Sequence, residues 1–506
     1  MSTTTYSILQ TSPVLAASTV VVAASILLLF SLIHNLILNP LRHIPGPFAA
    51  RLSQLWELKV IRHADFPRKH LKLHQNYGKI VRLAPNKYSV SDPEVVKPIY
   101  GHGSKFAKAP FYGPFGNPDY LHADLFSERD VARHAAKRRK VASLYSMTSL
   151  LCYEPFVDKC NTKLCARLET FAADGALFDV PQWMQFYAFD VIGGISVGQS
   201  FGFLDGQQKH SEILQAIHKA MTYGSRVGLF PGLHPVICKL AEITRSPTPF
   251  HSVLAFINDN REARETGVSH SGRDDFLTKL IALREQGKLD EWDIITSLRA
   301  NIAAGSDTTG ITLSTIVYYL ARNKSKAEKL QVEIDRFERG RLSPQPVTFQ
   351  ECQKPPYLQA ILKEALRIHP ATGQLLSRLV PPGGMVLSGQ YFPEGVEVGT
   401  SPWLIHFDPN IFGSDAHEFR PKRWLEDEES ARRMESSLLS FGSGARTCIG
   451  KNISLLEISK LTYQLFYRFD FELSEPGLKW ELDMVWFVKQ KFDARIKERR
   501  GVDAAE

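Results

Sequence analysis

No part of this 506-residue chain constrains its fold more than Phe441-Gly442-Ser443-Gly444-Ala445-Arg446-Thr447-Cys448-Ile449-Gly450. Behind it Ile453, Leu455, Leu456, Ile458, Leu461, Leu465 and Phe466 recur at helical spacing, so Cys448 is expected just ahead of a helix N-terminus. Amide N–H groups and the helix dipole at such a place favour a thiolate over a thiol. Gly442 and Gly444 are expected to let the backbone lie flat against a large planar ligand. Arg446 offers a forked donor to a carboxylate, and Phe441 is placed to shield the sulfur from water. A cysteine by itself is more often a small buried hydrophobe. It is the glycines, the arginine and the phenylalanine at fixed offsets that point to a metal-ligating sulfur.

The other five cysteines (152, 160, 165, 238, 352) form neither a CxxC pair nor a dense framework, which argues against a disulfide scaffold or a zinc site. The formal charge of +8 is spread along the chain rather than gathered in a tail, and no nucleic-acid partner is expected. Met1 to Leu41 carries no charged side chain, and 14–38 is long and apolar enough to span a bilayer. The basic start and short apolar core of a cleaved signal are absent. Basic residues begin at Arg42, His43, Arg51 and Lys59, which by the positive-inside rule leaves the large C-terminal part in the cytosol. The expected organisation is a short luminal N-terminus (1–13), a transmembrane anchor (14–38), a proline-rich hinge (39–50) and one catalytic domain (51–506).

Beyond the hinge, Ile80-Val81-Arg82-Leu83 and Tyr88-Ser89-Val90 alternate as strands about Pro85-Asn86, and Asp92-Pro93-Glu94 opens a short helix, which together read as a small β-rich N-terminal region. From about Glu128 to His369 the periodicity is helical, and strand-like pieces return at 385–387 and 396–398. The fold class is mainly α with a minor β region. Ala300 to Ala321 holds a single charge, Asp307, and superficially resembles a second span. The polar run Gly305-Ser306-Asp307-Thr308-Thr309-Gly310 inside it argues instead for a buried core helix opening beside a site.

Phe441, Gly444, Arg446, Cys448 and Gly450 match the pattern FxxGxRxCxG, and on that motif the chain resembles the cytochromes P450, in which a cysteine thiolate ligates haem iron. Three further matches follow in the family's order. Ala304-Gly305-Ser306-Asp307-Thr308-Thr309 resembles the oxygen-binding helix, in which an acid–alcohol pair, here Asp307 and Thr308, relays protons; a back-bonding threonine is the plainer alternative. Glu364 and Arg367 resemble the ExxR pair, with Arg423 in Phe419-Arg420-Pro421-Lys422-Arg423-Trp424 as third member of a structural network. Arg378 resembles a propionate-side arginine, and His134 with Arg138 has the spacing of two propionate donors on one helical face. The chain departs from the family at Lys422, often acidic, and at His134, often Trp.

The resemblance implies a cytochrome P450 fold with one N-terminal transmembrane helix, haem b with Cys448 as axial iron ligand, and insertion of one atom of O2 into a lipophilic small molecule. No dinucleotide or flavin-binding motif is present, so the electrons are expected from a separate NADPH-cytochrome P450 reductase, to which Lys137, Arg138, Arg139 and Lys140 present a basic face. The pocket lining is expected from 106–126, 201–235 and 371–376. The 448–471 stretch is most similar to fungal members of secondary metabolism, and the expected location is the endoplasmic reticulum membrane. The alternatives are a haem-thiolate isomerase or peroxide-rearranging enzyme needing no reductase, and a non-catalytic haem sensor; Asp307 and Thr308 speak against both.

Overall fold

The computed structural model describes residues 13–116, 123–207, 210–246, 250–266, 274–341, 345–484 and 486–499. Its axis is the 32-residue helix Glu291–Arg322, started by a reciprocal cap in which the Asp290 and Asp293 carboxylates each accept the other's backbone N–H. The segment expected to be a buried helix, 300–321, is the interior of this element. Two glycines set its packing. A Cβ on Gly310 would lie 3.0 Å from the backbone of Gln185, and one on Gly305 equally close to the Ile192 side chain. The helix Val180–Val197 therefore runs against the central helix at near backbone contact. Helices Glu154–Asp174, Pro356–Ile368 and Lys451–Arg468 complete the principal core, where Leu164, Phe189, Leu298, Ile361 and Leu456 are buried.

The β content is not confined to the N-terminal region. Strands Ile80–Ala84 and Lys87–Val90 do form the expected hairpin, but the sheet is completed by Glu397–Gly399, parallel to Lys87–Val90, then Arg378–Leu379 and Ala107–Lys108. Short-range alternation reveals a strand and not its remote partner. The C-terminal strands Phe469–Leu473, Glu481–Met484, Val488–Lys491 and Asp493–Glu498, which sequence reading did not separate, form a three-stranded sheet with Phe178–Asp179 and a two-stranded hairpin.

Helix Pro13–Ile33 is 21 residues long and continues into a wider turn, His34–Leu38. Side chains 13–17, 20, 24, 27, 28 and 31 lie outside the described residues. Among the described residues no helix is long and apolar enough to cross a membrane, so the fold does not establish the expected span. Leu41 and Ile44, within the expected hinge, are buried against Tyr88 and Val90 of the sheet.

Candidate active site

Cys448 lies two residues before Gly450, the N-cap of helix Lys451–Arg468, as expected. Its N–H donates to the Phe441 carbonyl at 2.8 Å, closing the loop. The thiol keeps accessible surface although protein surrounds it on the larger scale, as at the floor of a cleft. Burial pushes this thiol up; the amides of Gly450 and Lys451 and the Arg138 guanidinium pull the other way without prevailing. The helix-terminal amides thus act in the expected direction, against burial. The two glycines of the loop have a backbone reason of their own. Gly442 and Gly444 have φ of 70° and 60°, and a Cβ on Gly444 would lie 2.1 Å from the Tyr100 carbonyl oxygen. Both positions take left-handed backbone, and Gly444 also packs closely against Tyr100–Gly101. Gly450 has an ordinary φ of −82°, and a Cβ there would meet only the Cys448 sulfur, at 3.9 Å.

The cations expected around the site converge. His134 is buried on helix Val131–Val141, and burial, reinforced by Arg446, Lys108, Arg138 and Arg378, lowers it to about 3. Arg446 is itself pulled down to about 10 by burial and Arg378. Its terminal nitrogens donate to the backbone carbonyls of Glu128, Arg129 and Asp130 at 2.6, 3.2 and 3.3 Å. Arg138 donates to the Thr447 carbonyl at 2.7 Å, beside the cysteine rather than with His134. Arg378 lies over the Tyr100 ring at 5.0 Å and donates to the Ser377 carbonyl. Lys108 was missed by sequence reasoning. It is buried, its ammonium 4.5 and 4.3 Å from the ring centres of Tyr112 and Phe126, and burial with Arg378 and Arg446 drives it well below the usual lysine range. Of the basic run on this helix, Lys137 and Arg138 turn inward, Lys137 to the Ala123 carbonyl, and Lys140 pairs with Asp293 at 2.7 Å. The expected basic face is thereby reduced.

Glu364, Arg367 and Arg423 meet as expected. Arg367 donates to both Glu364 oxygens at 2.9 and 2.7 Å and to the carbonyls of His406, Ala416 and Glu418. Arg423 donates to Glu364 at 3.1 Å and to Asp415 at 2.9 Å. Trp424 Nε1–H adds a donor to Glu364 at 2.9 Å. Lys422 is exposed, so that departure leaves the network untouched. His406, also missed, connects the network to the cysteine loop: its Nδ1–H donates to the Arg367 carbonyl at 3.0 Å, and its Nε2 accepts the Leu439 N–H at 2.8 Å. Ser440 donates to the Leu366 carbonyl at 2.8 Å.

Asp307 and Thr308 do not face one way. The Thr308 hydroxyl donates back to the Ala304 carbonyl at 2.8 Å, whereas Asp307 pairs with Lys489 at 2.9 Å and accepts from Gln185 Nε2. Against Ile311 of the central helix, Phe111, Tyr112, Phe115, Phe126 and Trp486 interlock with ring centres 5.2 to 6.1 Å apart, together with Leu229, Leu375 and Phe487. Segments 106–126 and 371–376 and the end of 201–235 thus share one apolar cluster. Residues 117–122 of that reading lie outside the described residues. Phe201 and Phe203 instead join the main core, and the C-terminal hairpin contributes Trp486, which its sequence did not advertise.

A family model for cytochrome P450 matches residues 45–492. Pisatin demethylase from Fusarium vanettenii is 39% identical over 469 residues, covering 91% of this chain and 90% of that protein. The cytochrome P450 monooxygenases cicH and pkfB of Emericella nidulans are 35% and 33% identical, covering 91% and 94% of this chain and 95% and 96% of theirs.

Proposed function

Because this chain belongs to the cytochrome P450 family, we propose that it is a haem-thiolate monooxygenase with Cys448 as the axial iron ligand. The overall reaction joins a lipophilic substrate RH, O2, two electrons and two protons to give ROH and water. Bound haem supplies the activation of O2 and the oxidant that attacks the C–H bond.

The donor set fits that group. An accessible sulfur at a cleft floor answers to the iron, and the crowding of Lys108, Arg446 and neutral His134, all lowered by burial and by the Arg378 charge among others, calls for anionic partners such as two propionates. Arg138 ties down the Thr447 carbonyl beside the sulfur, and the Glu364–Arg367–Arg423 network, through His406, holds the loop that presents it. Phe441 and Gly444 shape the loop, and Gly450 leaves the sulfur uncovered. Thr308 carries a hydroxyl on the central helix and Asp307 a carboxyl at the preceding position, the two groups that would hand on protons once both turn to the same face. The aromatic cluster excludes water and orients an apolar substrate.

The electrons come from an NADPH-cytochrome P450 reductase, and the protein sits on the endoplasmic reticulum membrane through 14–38 with 51–506 in the cytosol. Exposed Val21, Val22, Ile26, Leu29 and Phe30 support that anchor. A second apolar surface supports it too: on helix Leu233–Ile243, Leu233, Val236, Leu240 and Ile243 fall on one exposed face. The fungal relatives support a place in secondary metabolism.

The observation that carries the reading is the accessible Cys448 at the end of a buried network. The test is reconstitution with reductase and NADPH. Substrate-dependent oxygen uptake with labelled oxygen in the product is expected, and turnover by peroxide alone would favour the isomerase. Cys448→Ala is expected to abolish the reduced carbon-monoxide absorption of thiolate-bound haem; a retained band refutes the ligand.

A further inference from the structure

Both oxygens of Asp307, a residue only 2% exposed, are engaged on the side of the central helix turned toward the C-terminal hairpin: one by Gln185, the other by Lys489. A cavity of about 190 Å³ opens there, lined among others by Asp179, Gln182, Gln185, Asp307, Lys489 and Lys491. The hairpin strand that carries Lys489 is fixed at both flanks. Gln490 Nε2 donates to the Ile311 carbonyl at 3.1 Å and to Thr315 Oγ1 at 2.7 Å on the central helix. Val488 N–H donates to the Ala371 carbonyl at 2.8 Å, and Gly373 N–H to the Trp486 carbonyl at 3.2 Å. Three residues before Lys489, the Trp486 indole sits among Phe111, Tyr112, Phe115 and Phe126.

The stretch from Trp486 into the strand Val488–Lys491 thus reaches both the carboxyl and the aromatic cluster. We propose that the hairpin Glu481–Met484 with Val488–Lys491 is a latch: Lys489 holds Asp307 turned to the outer cavity, and displacement of Trp486 by substrate releases it toward Thr308. This rests on the reading of Asp307 as proton donor. Lys489 is a positioning residue in this scheme, since it touches only the carboxyl. The chemistry suits a reversible latch. The Lys489 side chain is 27% exposed, so water competes for the ammonium and the pair separates at modest cost. Gln185 is neutral and gives the carboxyl no charge to lose. A shift at Trp486 passes along the short backbone to Lys489, a stretch tied to Ala371 and Gly373 and, from Val488 on, to the strand Glu481–Met484. The cavity gives the released group a route to solvent protons.

The experiment uses full-length holoenzyme with reductase and no substrate, and compares Lys489→Met, Lys489→Arg, Trp486→Ala and the Lys489→Met/Trp486→Ala double variant. A latch that opens without substrate wastes NADPH: O2, two electrons and two protons leave as hydrogen peroxide. Lys489→Met and Trp486→Ala are each expected to raise idle NADPH consumption and peroxide release roughly five-fold or more, the double variant no further, and Lys489→Arg to behave as wild type. Independently of turnover, amide hydrogen exchange across 488–491 is expected to quicken in Trp486→Ala. Wild-type idle consumption in Lys489→Met, or effects that multiply in the double variant, overturns the latch. Asp307→Asn separates the two readings. Added to Lys489→Met, it is expected to bring idle peroxide release back down; if it does not, the proton-donor reading falls and the latch with it, and if Asp307→Asn alone lowers idle consumption while Lys489→Met is silent, the latch alone falls.

Discussion

His406 has one partner for each ring nitrogen, and both are backbone groups, so its tautomer is fixed: Nδ1–H faces a carbonyl and bare Nε2 faces an N–H. A proton on Nε2 would oppose the Leu439 amide, and burial lowers the imidazole to about 3. His406→Ala leaves two buried backbone groups unmatched and opens a cavity. A loss of about 3 kcal/mol is expected, read by denaturant unfolding, with weaker haem retention because Leu439 leads into the cysteine loop. Gly444→Ala is expected to cost at least as much, since both φ and the Tyr100 carbonyl oppose a Cβ, whereas Gly450→Ala leaves unfolding nearly unchanged and shows its effect in the haem spectrum. The residues legible in the sequence were those whose offsets are local: Glu364 three before Arg367, Arg446 two before Cys448. His406, Trp424, Lys108 and Lys489 reach the same places from remote parts of the chain, and no spacing announces them.

Two glycines on helix Ser211–Val227 and at its end govern the roof of the apolar cluster. A Cβ on Gly224 would fall 2.6 Å from the Phe115 ring, and one on Gly228 would fall 2.5 Å from the Phe111 carbonyl oxygen. Gly224→Ala is expected to push Phe115 off its seat, costing about 1 to 3 kcal/mol and changing which ligands shift the haem spectrum while Cys448 chemistry persists. At the other surface, deletion of Met1 to Pro40 is expected to release the protein from microsomal membranes only in part. Adding Leu240→Glu on helix Leu233–Ile243 completes the release, measured by sedimentation with membranes, and full release by deletion alone argues against the second apolar face. Helix types were legible from periodicity. The sheet was not, because Glu397–Gly399 pairs with Lys87–Val90 across some 300 residues of chain, a pairing set by the packing of the whole.

Across the molecule, neutral imidazoles set an acid limit, buried His369 and His406 and half-buried His74 among them. Burial lowers His74 and His369 to about 4 and His406 to about 3. Below the ordinary value of 6.5 the unfolded chain takes up these protons and the folded one does not, so their stabilising effect is complete above 6.5 and is lost as pH falls toward 4 and 3. With all three contributing, the slope approaches roughly 4 kcal/mol per pH unit. Guanidinium unfolding of the holoenzyme at pH 7.5 and 5.5 is expected to show a clearly lower midpoint at 5.5; equal midpoints contradict the burial of these rings as neutral species.

The sequence by itself determined the helical class, the cysteine ahead of its helix and the Glu364–Arg367 pair, because each is written in residues a few positions apart whose side chains a helix or tight loop brings together. Only the tertiary structure decided what those groups do. It placed glycine 444 against the backbone of Tyr100 and Gly101, let burial outweigh the helix amides at Cys448, and turned Asp307 from Thr308 toward Lys489. In each case the deciding term is a desolvation, a close approach or a charge from far along the chain, and such terms exist only once the core has closed.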